Sequence, residues 1–228
     1  MVDKSGDVVP TKIYEINFRY SENPKILSLD KNLHELYRKH FFHTLAGGGN
    51  IASEFNVSIV DLIANGESNA LEFKQTLRWD TREGRVNKGL EDVVIKTVAA
   101  FANSPEGGTL LIGVTDAGEA VGLDHDFGAL GDVDRDRFEL HLRNLFGEAF
   151  GQSFTSAKLR VSFPQVGEIE ICQIDVRPAD HAVVVTVKDK NGMKSEKLYV
   201  RSGNSSPEMP LSEVQAFLTQ RFPSQPRP

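Results

Sequence analysis

The run Gly107-Gly108-Thr109-Leu110-Leu111-Ile112-Gly113-Val114-Thr115-Asp116 limits what this chain can fold into more than any other stretch. Its apolar centre, residues 109–114, reads as a strand buried in a sheet. Before it, residues 90–102 place Leu90, Val93, Val94, Thr97, Val98 and Phe101 at helical spacing. That helix stops at Asn103-Ser-Pro-Glu-Gly-Gly, where breaker residues cluster. A further strand is predicted over residues 70–76. With the elements that follow, the order predicts an α+β fold: a mixed, mostly antiparallel sheet flanked by helices rather than regular βαβ alternation.

Carboxylates stand beside these two strands. Gly66-Glu67-Ser68-Asn69-Ala70-Leu71-Glu72-Phe73-Lys74 leads into the first, and Asp116 follows the second. Side chains of an extended segment alternate, so Leu71 and Phe73 face a core while Glu72 and Lys74 share the opposite face. Glu67 has the wrong parity to join Glu72 on one strand, and does so only if the chain bends at Gly66, Ser68 and Asn69. Three hard carboxylates brought together suit Mg²⁺ or Mn²⁺. Such an ion activates water and polarises a phosphoryl group, with Lys74 adding a fixed positive charge. A plain structural reading stands beside this one. In it Glu67 is a helix-end or turn residue, Glu72 and Lys74 form a same-face ion pair, and Asp116 is a β-turn residue.

The 228 residues, 39% of them hydrophobic, suffice for one large domain or one domain with an appendage. No apolar run approaches ~18 residues, so no membrane span is expected, and the first residues lack an apolar signal core. The single cysteine, Cys172, lies in a strand-like segment, is read as a core residue, and fits a reducing cytoplasm. The net charge of −6 counts against a broad non-specific nucleic-acid binder. It leaves room for a local basic groove. Lys74, Arg78, Arg82, Arg85 and Lys88 form one basic group; Lys188, Lys190, Lys194, Lys197 and Arg201 form another. Each is either a solvated face or a phosphate contact.

Residues 1–50 read as an N-terminal extension: a loose start, a strand over 11–20, a helix over 33–45 and a glycine break at 46–50. The helix carries His34, His40 and His43, taken as surface or packing residues. Residues 51–222 form the main domain and 223–228 a loose tail. Within the domain a short helix is predicted over 58–64, a polar loop over 80–88 and a short strand around 120–123. A helix over 138–150 follows an acidic start that suits its dipole. Strands over 158–163 and 168–176 pair across 164–167, and strands over 182–188 and 197–201 flank a turn at 189–192. A closing helix over 210–218 takes Ser212 as its N-cap. Trp79, at the start of the polar loop, caps the core or stacks on a base.

Four blocks now stand in order: Gly66-Glu-Ser…Leu71-Glu-Phe-Lys74, Val98-Ala-Ala-Phe-Ala-Asn-Ser-Pro-Glu-Gly-Gly108, Leu111-Ile-Gly-Val-Thr-Asp116 and Leu198-Tyr-Val-Arg-Ser-Gly-Asn204. Together, over about residues 59–222, they resemble the Schlafen-type, Alba-like nucleic-acid-binding domain of bacterial proteins. In animal Schlafen proteins this core is a metal-dependent endoribonuclease acting on transfer and ribosomal RNA, with a triad of two glutamates and an aspartate. The resemblance maps that triad to Glu67, Glu72 and Asp116, the implied ligands of Mg²⁺ or Mn²⁺. Lys74 and Arg201 match positions expected near the nucleic acid, and Arg78 and Arg82 complete the expected contact. The animal core has two related lobes forming a positive cradle, whereas this chain has one; a homodimer or a larger defence complex could rebuild it.

Two functions therefore compete. One is a metal-dependent endonuclease preferring RNA, of the transfer-RNA or single-stranded kind, in a bacterial defence or stress system. The other is a non-catalytic DNA- or RNA-binding regulatory module or complex subunit. Nucleotide binding has less support, because neither Gly-x-x-x-x-Gly-Lys-Ser/Thr nor a helix-opening Gly-x-Gly-x-x-Gly is present. Glu72-Phe-Lys74 also imitates half of a restriction-type nuclease motif, but the matching aspartate would have to precede it.

Overall fold

The computed structural model describes residues 58–131, 134–188 and 192–223, all within the unit Ser58–Pro228. The expected strand over 11–20, the histidine-bearing helix over 33–45 and the break at 46–50 lie outside the described residues, as do residues 189–191 and 224–228.

The first helix, α1, spans Ile59–Ala64, its start capped by the Ser58 hydroxyl, which accepts from the Val60 N–H. Strand β1 (Leu71–Lys74) is followed by a two-stranded hairpin of β2 (Trp79–Asp80) and β3 (Arg85–Val86), then by α2 (Gly89–Asn103) and β4 (Gly108–Ile112). Because α2 carries the chain back across the sheet, β1 and β4 run parallel, with Leu71 opposite Thr109 and Lys74 opposite Ile112. Three helices follow: α3 (Asp124–Ala129), α4 (Arg135–Phe150) and α5 (Gln152–Lys158). Then come β5 (Leu159–Ser162), the small hairpin β6 (Gln165–Val166) and β7 (Ile169–Glu170), and β8 (Cys172–Val176). The hairpin β9 (Val184–Lys188) and β10 (Lys194–Leu198) precedes the last helix, α6 (Leu211–Arg221). The main sheet has the order β1-β4-β8-β5, with β8 antiparallel to both its neighbours. This is the expected mixed α+β architecture.

Alternation in β4 and β8 splits the core into two layers. Leu110, Ile112, Cys172, Ile174 and Val176 point to one side, where Val94, Val98 and Phe101 of α2 and Phe138, Leu142 and Phe146 of α4 cover them. Leu71, Phe73 and Leu111 point to the other, under Ile63 of α1 and beside Ile171. Phe73, Phe101, Phe138 and Phe146 are fully buried, each contributing roughly 1.5–3 kcal/mol by leaving water. Close approach of helix and sheet requires Gly108: a Cβ there would lie 2.2 Å from the Phe101 ring. Cys172 is buried in this core, and burial pushes its thiol far above the usual range, so it packs rather than reacts.

Several local expectations change. The polar loop over 80–88 contains the β2–β3 hairpin, closed by Gly84 at φ +61°. Around residue 120 there is only an isolated bridge between Val114 and Ala120. The strand expected over 168–176 breaks at Ile171, because β7 pairs with β6 while β8 pairs with β4 and β5. The last strand ends at Leu198, which leaves Arg201 in a loop. Ser212 does not cap α6: the helix begins at Leu211 behind Pro210, with no side-chain cap. Helices α3 and α5 carry too short a pattern to be read from periodicity.

Candidate functional site

Strand β1 is an edge of the main sheet. The Thr109 N–H donates to the Ala70 carbonyl and the Gly113 N–H to the Lys74 carbonyl, so β4 is bonded by the even-numbered residues. The peptide groups of Phe73 consequently face the open edge, and side chains satisfy both. Its N–H donates to Glu67 Oε1 at 2.9 Å, and its carbonyl accepts from Lys74 Nζ at 2.8 Å. The bend at 66–70 expected from Gly66, Ser68 and Asn69 is present, with Ser68 bridging to Leu71. It brings Glu67 to a backbone amide and blunts an edge that would otherwise pair with another strand.

Glu72 is buried on the face opposite Leu71 and Phe73. Its Oε1 accepts from Lys74 Nζ at 2.6 Å and its Oε2 from Arg201 Nη1 at 2.9 Å. The Arg201 side chain is only 1% exposed, and all five of its N–H groups have acceptors. Besides Glu72 these are the carbonyls of Ser68, Asn69 and Gly203 and the Ser206 hydroxyl. The guanidinium also lies 4.6 Å from the centre of the Phe101 ring. Arg201 thereby ties the loop after β10 to the entrance of β1.

Asp116 stands exposed in the turn at 115–118, which the Gly118 N–H closes on the Thr115 carbonyl. The three expected metal ligands thus occupy three different settings. Among the described residues no group of three or more His, Cys, Asp or Glu side chains is placed to hold a metal ion. Glu67 is turned to the Phe73 amide, and the positive charges at Glu72 are those of Lys74 and Arg201. A divalent ion at Glu72 would have to displace Lys74 and Arg201.

The first basic group divides in two. Arg78 sits 3.4 Å from Glu91 Oε1, and the same oxygen is 2.7 Å from His141 Nε2. The Arg78 Nε is buried without a hydrogen-bond partner. Arg85 pairs with Glu83. Arg82 and Lys88 are exposed, with no ion-pair partner among the described residues. In the second group Lys197 pairs with Glu208, Lys194 is exposed, and Lys190 lies outside the described residues.

The hairpin that carries Arg82 is held by two carboxylates that the sequence did not single out. Asp126, fully buried in α3, accepts from the backbone N–H groups of Leu77 at 2.7 Å, Arg78 at 2.9 Å and Trp79 at 3.1 Å. Burial pushes its carboxyl upward, while those three donors and the Arg78 charge pull it back. Asp80 accepts from the N–H groups of Arg82 and Glu83 and from the Asn87 amide. The Asn87 bond, then the Glu83 bond, hold its carboxyl below the usual range. Asp-x-x-x-Gly between two turns was the available signal for Asp80; nothing local marks Asp126.

Two motif blocks prove to be structural ties. Asn103, fully buried, donates to the Val183 and Tyr199 carbonyls and accepts from the Val183 N–H, pinning the β9–β10 hairpin to the end of α2. Arg221 of α6 donates to the Asn103, Ser104 and Ala179 carbonyls and so closes the C-terminus of the same helix.

The model of the family described as Schlafen, AlbA_2 matches residues 67–210, more than half of the chain. This protein belongs to the Schlafen, AlbA_2 family. The matched span runs from Glu67 to Pro210 and so includes the edge strand, the Arg201 lock and the hairpin. Among solved structures, the DIP2311 protein of Corynebacterium diphtheriae is similar, at 21% identity and a TM-score of 0.44. The similarity covers 67% of this chain and 27% of that one, so the Schlafen, AlbA_2 chain spans about a quarter of its length. No curated protein matches the chain. No helix among the described residues is long and apolar enough to cross a membrane.

Proposed function

We propose that this Schlafen, AlbA_2 protein is a nucleic-acid-binding module whose phosphate contact is the β2–β3 hairpin. Family membership supports the nucleic-acid theme. The observation that carries the reading is the division of the basic residues: Lys74, Arg78, Arg85 and Arg201 are engaged by carboxylates, while Arg82 in the hairpin turn and Lys88, two residues past β3 at the start of α2, are exposed without an ion-pair partner among the described residues. Free, exposed cations are what a phosphate backbone needs, and their contribution is electrostatic and sequence-independent. RNA is the preferred polymer in this proposal, and two copies of the chain would double the contact.

The test is fluorescence anisotropy of labelled RNA and DNA oligomers with the wild type and an Arg82→Glu/Lys88→Glu variant, in the presence and absence of Mn²⁺, with the oligomers run on a gel afterwards. Salt-sensitive binding that the double variant loses, with intact oligomers, supports the binding module. Equal binding by both proteins refutes the hairpin as the contact. Mn²⁺-dependent cleavage lost in Asp116→Asn, an exposed position that leaves the core intact, replaces this reading with the metal-dependent nuclease. In that case Glu67 and Glu72 must first release the partners described above.

A further inference from the structure

The imidazole of His125 lies flat against the indole of Trp79, with ring centres 5.7 Å apart and planes 5° from parallel. The rings are offset, and His125 is exposed while Trp79 is half-buried, so solvent reaches the pair mainly at His125. Val86, directly opposite Trp79 in the hairpin and 37% exposed, extends the same surface.

The pair is also held in place. The Trp79 N–H is bound by Asp126, next in sequence to His125, and the Trp79 carbonyl accepts from the Thr76 hydroxyl at 2.6 Å. The main-chain segments that carry both rings are thus anchored at one buried carboxylate, that of Trp79 by its amide and that of His125 by its neighbour in the chain. A rigid aromatic surface loses little entropy when another ring settles on it. The segment that presents it, residues 78–88, has four basic residues and two acidic ones, within a chain of net charge −6.

We infer that the Trp79–His125 stack is a base platform, and that the hairpin takes single-stranded nucleic acid by continuing this stack with an unpaired base while Arg82 and Lys88 hold the flanking phosphates. Bases in a duplex are already stacked on their neighbours; only a single strand, loop or end can offer a free base face. The inference rests on the nucleic-acid-binding reading above and narrows its ligand to unpaired strands. Arg82 and Lys88, exposed and without a carboxylate partner among the described residues, favour a polyanion over an apolar peptide.

Trp79 is the single tryptophan of the chain, so its emission reports on the platform directly. The full chain is titrated with a single-stranded uridine oligomer, the same sugar–phosphate oligomer lacking bases, and a duplex, following Trp79 emission and anisotropy together. The platform predicts quenching by the base-bearing single strand alone and tighter binding of it than of the abasic oligomer. His125→Ala weakens that binding about tenfold and leaves abasic binding unchanged, while His125→Phe, which keeps a flat ring, restores it. Because His125 is exposed, both variants retain the fold, which circular dichroism checks. Equal affinity for base-bearing and abasic oligomers with unchanged emission overturns the platform and leaves the phosphate contact standing, as does an unaffected His125→Ala. Failure of every polymer to bind overturns both proposals.

Discussion

Glu72 shows how one side chain can serve two readings. By spacing it is a metal ligand; by its contacts it is the counter-charge of a buried arginine. Its carboxylate is 9% exposed and the Arg201 side chain 1%, so removing Glu72 leaves the Arg201 charge buried without a carboxylate, whereas Glu72 without Arg201 keeps Lys74. Glu72→Ala is expected to cost about 3–5 kcal/mol of stability, read as a lower midpoint in urea denaturation. A loss below about 1 kcal/mol, the range of a surface pair, would show that the lock does not hold the loop. Arg201→Lys should fare little better, because an ammonium has three donors and cannot fill the five-bond fork. An activity assay on Glu72→Ala therefore needs a folding control, whereas Asp116→Asn does not depend on this lock.

The β2–β3 hairpin is stabilised from both ends, by Asp126 beneath its first strand and Asp80 within its turn. Asp80 is half-buried, and its carboxyl is held below the ordinary range by the bonds from Asn87 and Glu83. A depressed carboxyl pKa contributes stability that is present above the unfolded value and lost as pH falls through the folded one. The hairpin turn should therefore loosen below the ordinary carboxylate range. The measurement is the pH dependence of the Arg82 and Glu83 amide signals in NMR. A midpoint at the value of a free aspartate would remove Asp80 as the organiser of the turn. In Asp80→Asn the acid transition should vanish while the main sheet remains unchanged.

The whole molecule carries a net charge of −6, which repels a polyanion at long range. Binding must then rest on a few local cations, and its salt dependence should be shallow. A plot of log affinity against log salt should show a slope corresponding to about two phosphate contacts, falling by about one in Arg82→Ala. A steep slope that Arg82→Ala does not change would place the contact elsewhere, for example at Arg160 in β5 and Arg177 just after β8, both exposed.

Much of the fold was legible along the chain because its causes are local. Helical spacing and the breakers at 103–108 mark α2 to within two residues, and parity alone assigned Leu71 and Phe73 to one side of β1 and Glu72 to the other. The bend before β1 was likewise readable from Gly66, Ser68 and Asn69. The fate of the acidic residues was not. Glu72 meets Arg201 across 129 positions, and Asp126 meets Leu77 across 49. No period or cap signals such pairs, since they form only when the packing of α2 and α3 on the sheet carries distant segments to one place. Local stereochemistry wrote the elements and the faces they present; long-range packing chose which charges are spent inside the protein and which remain free for a partner.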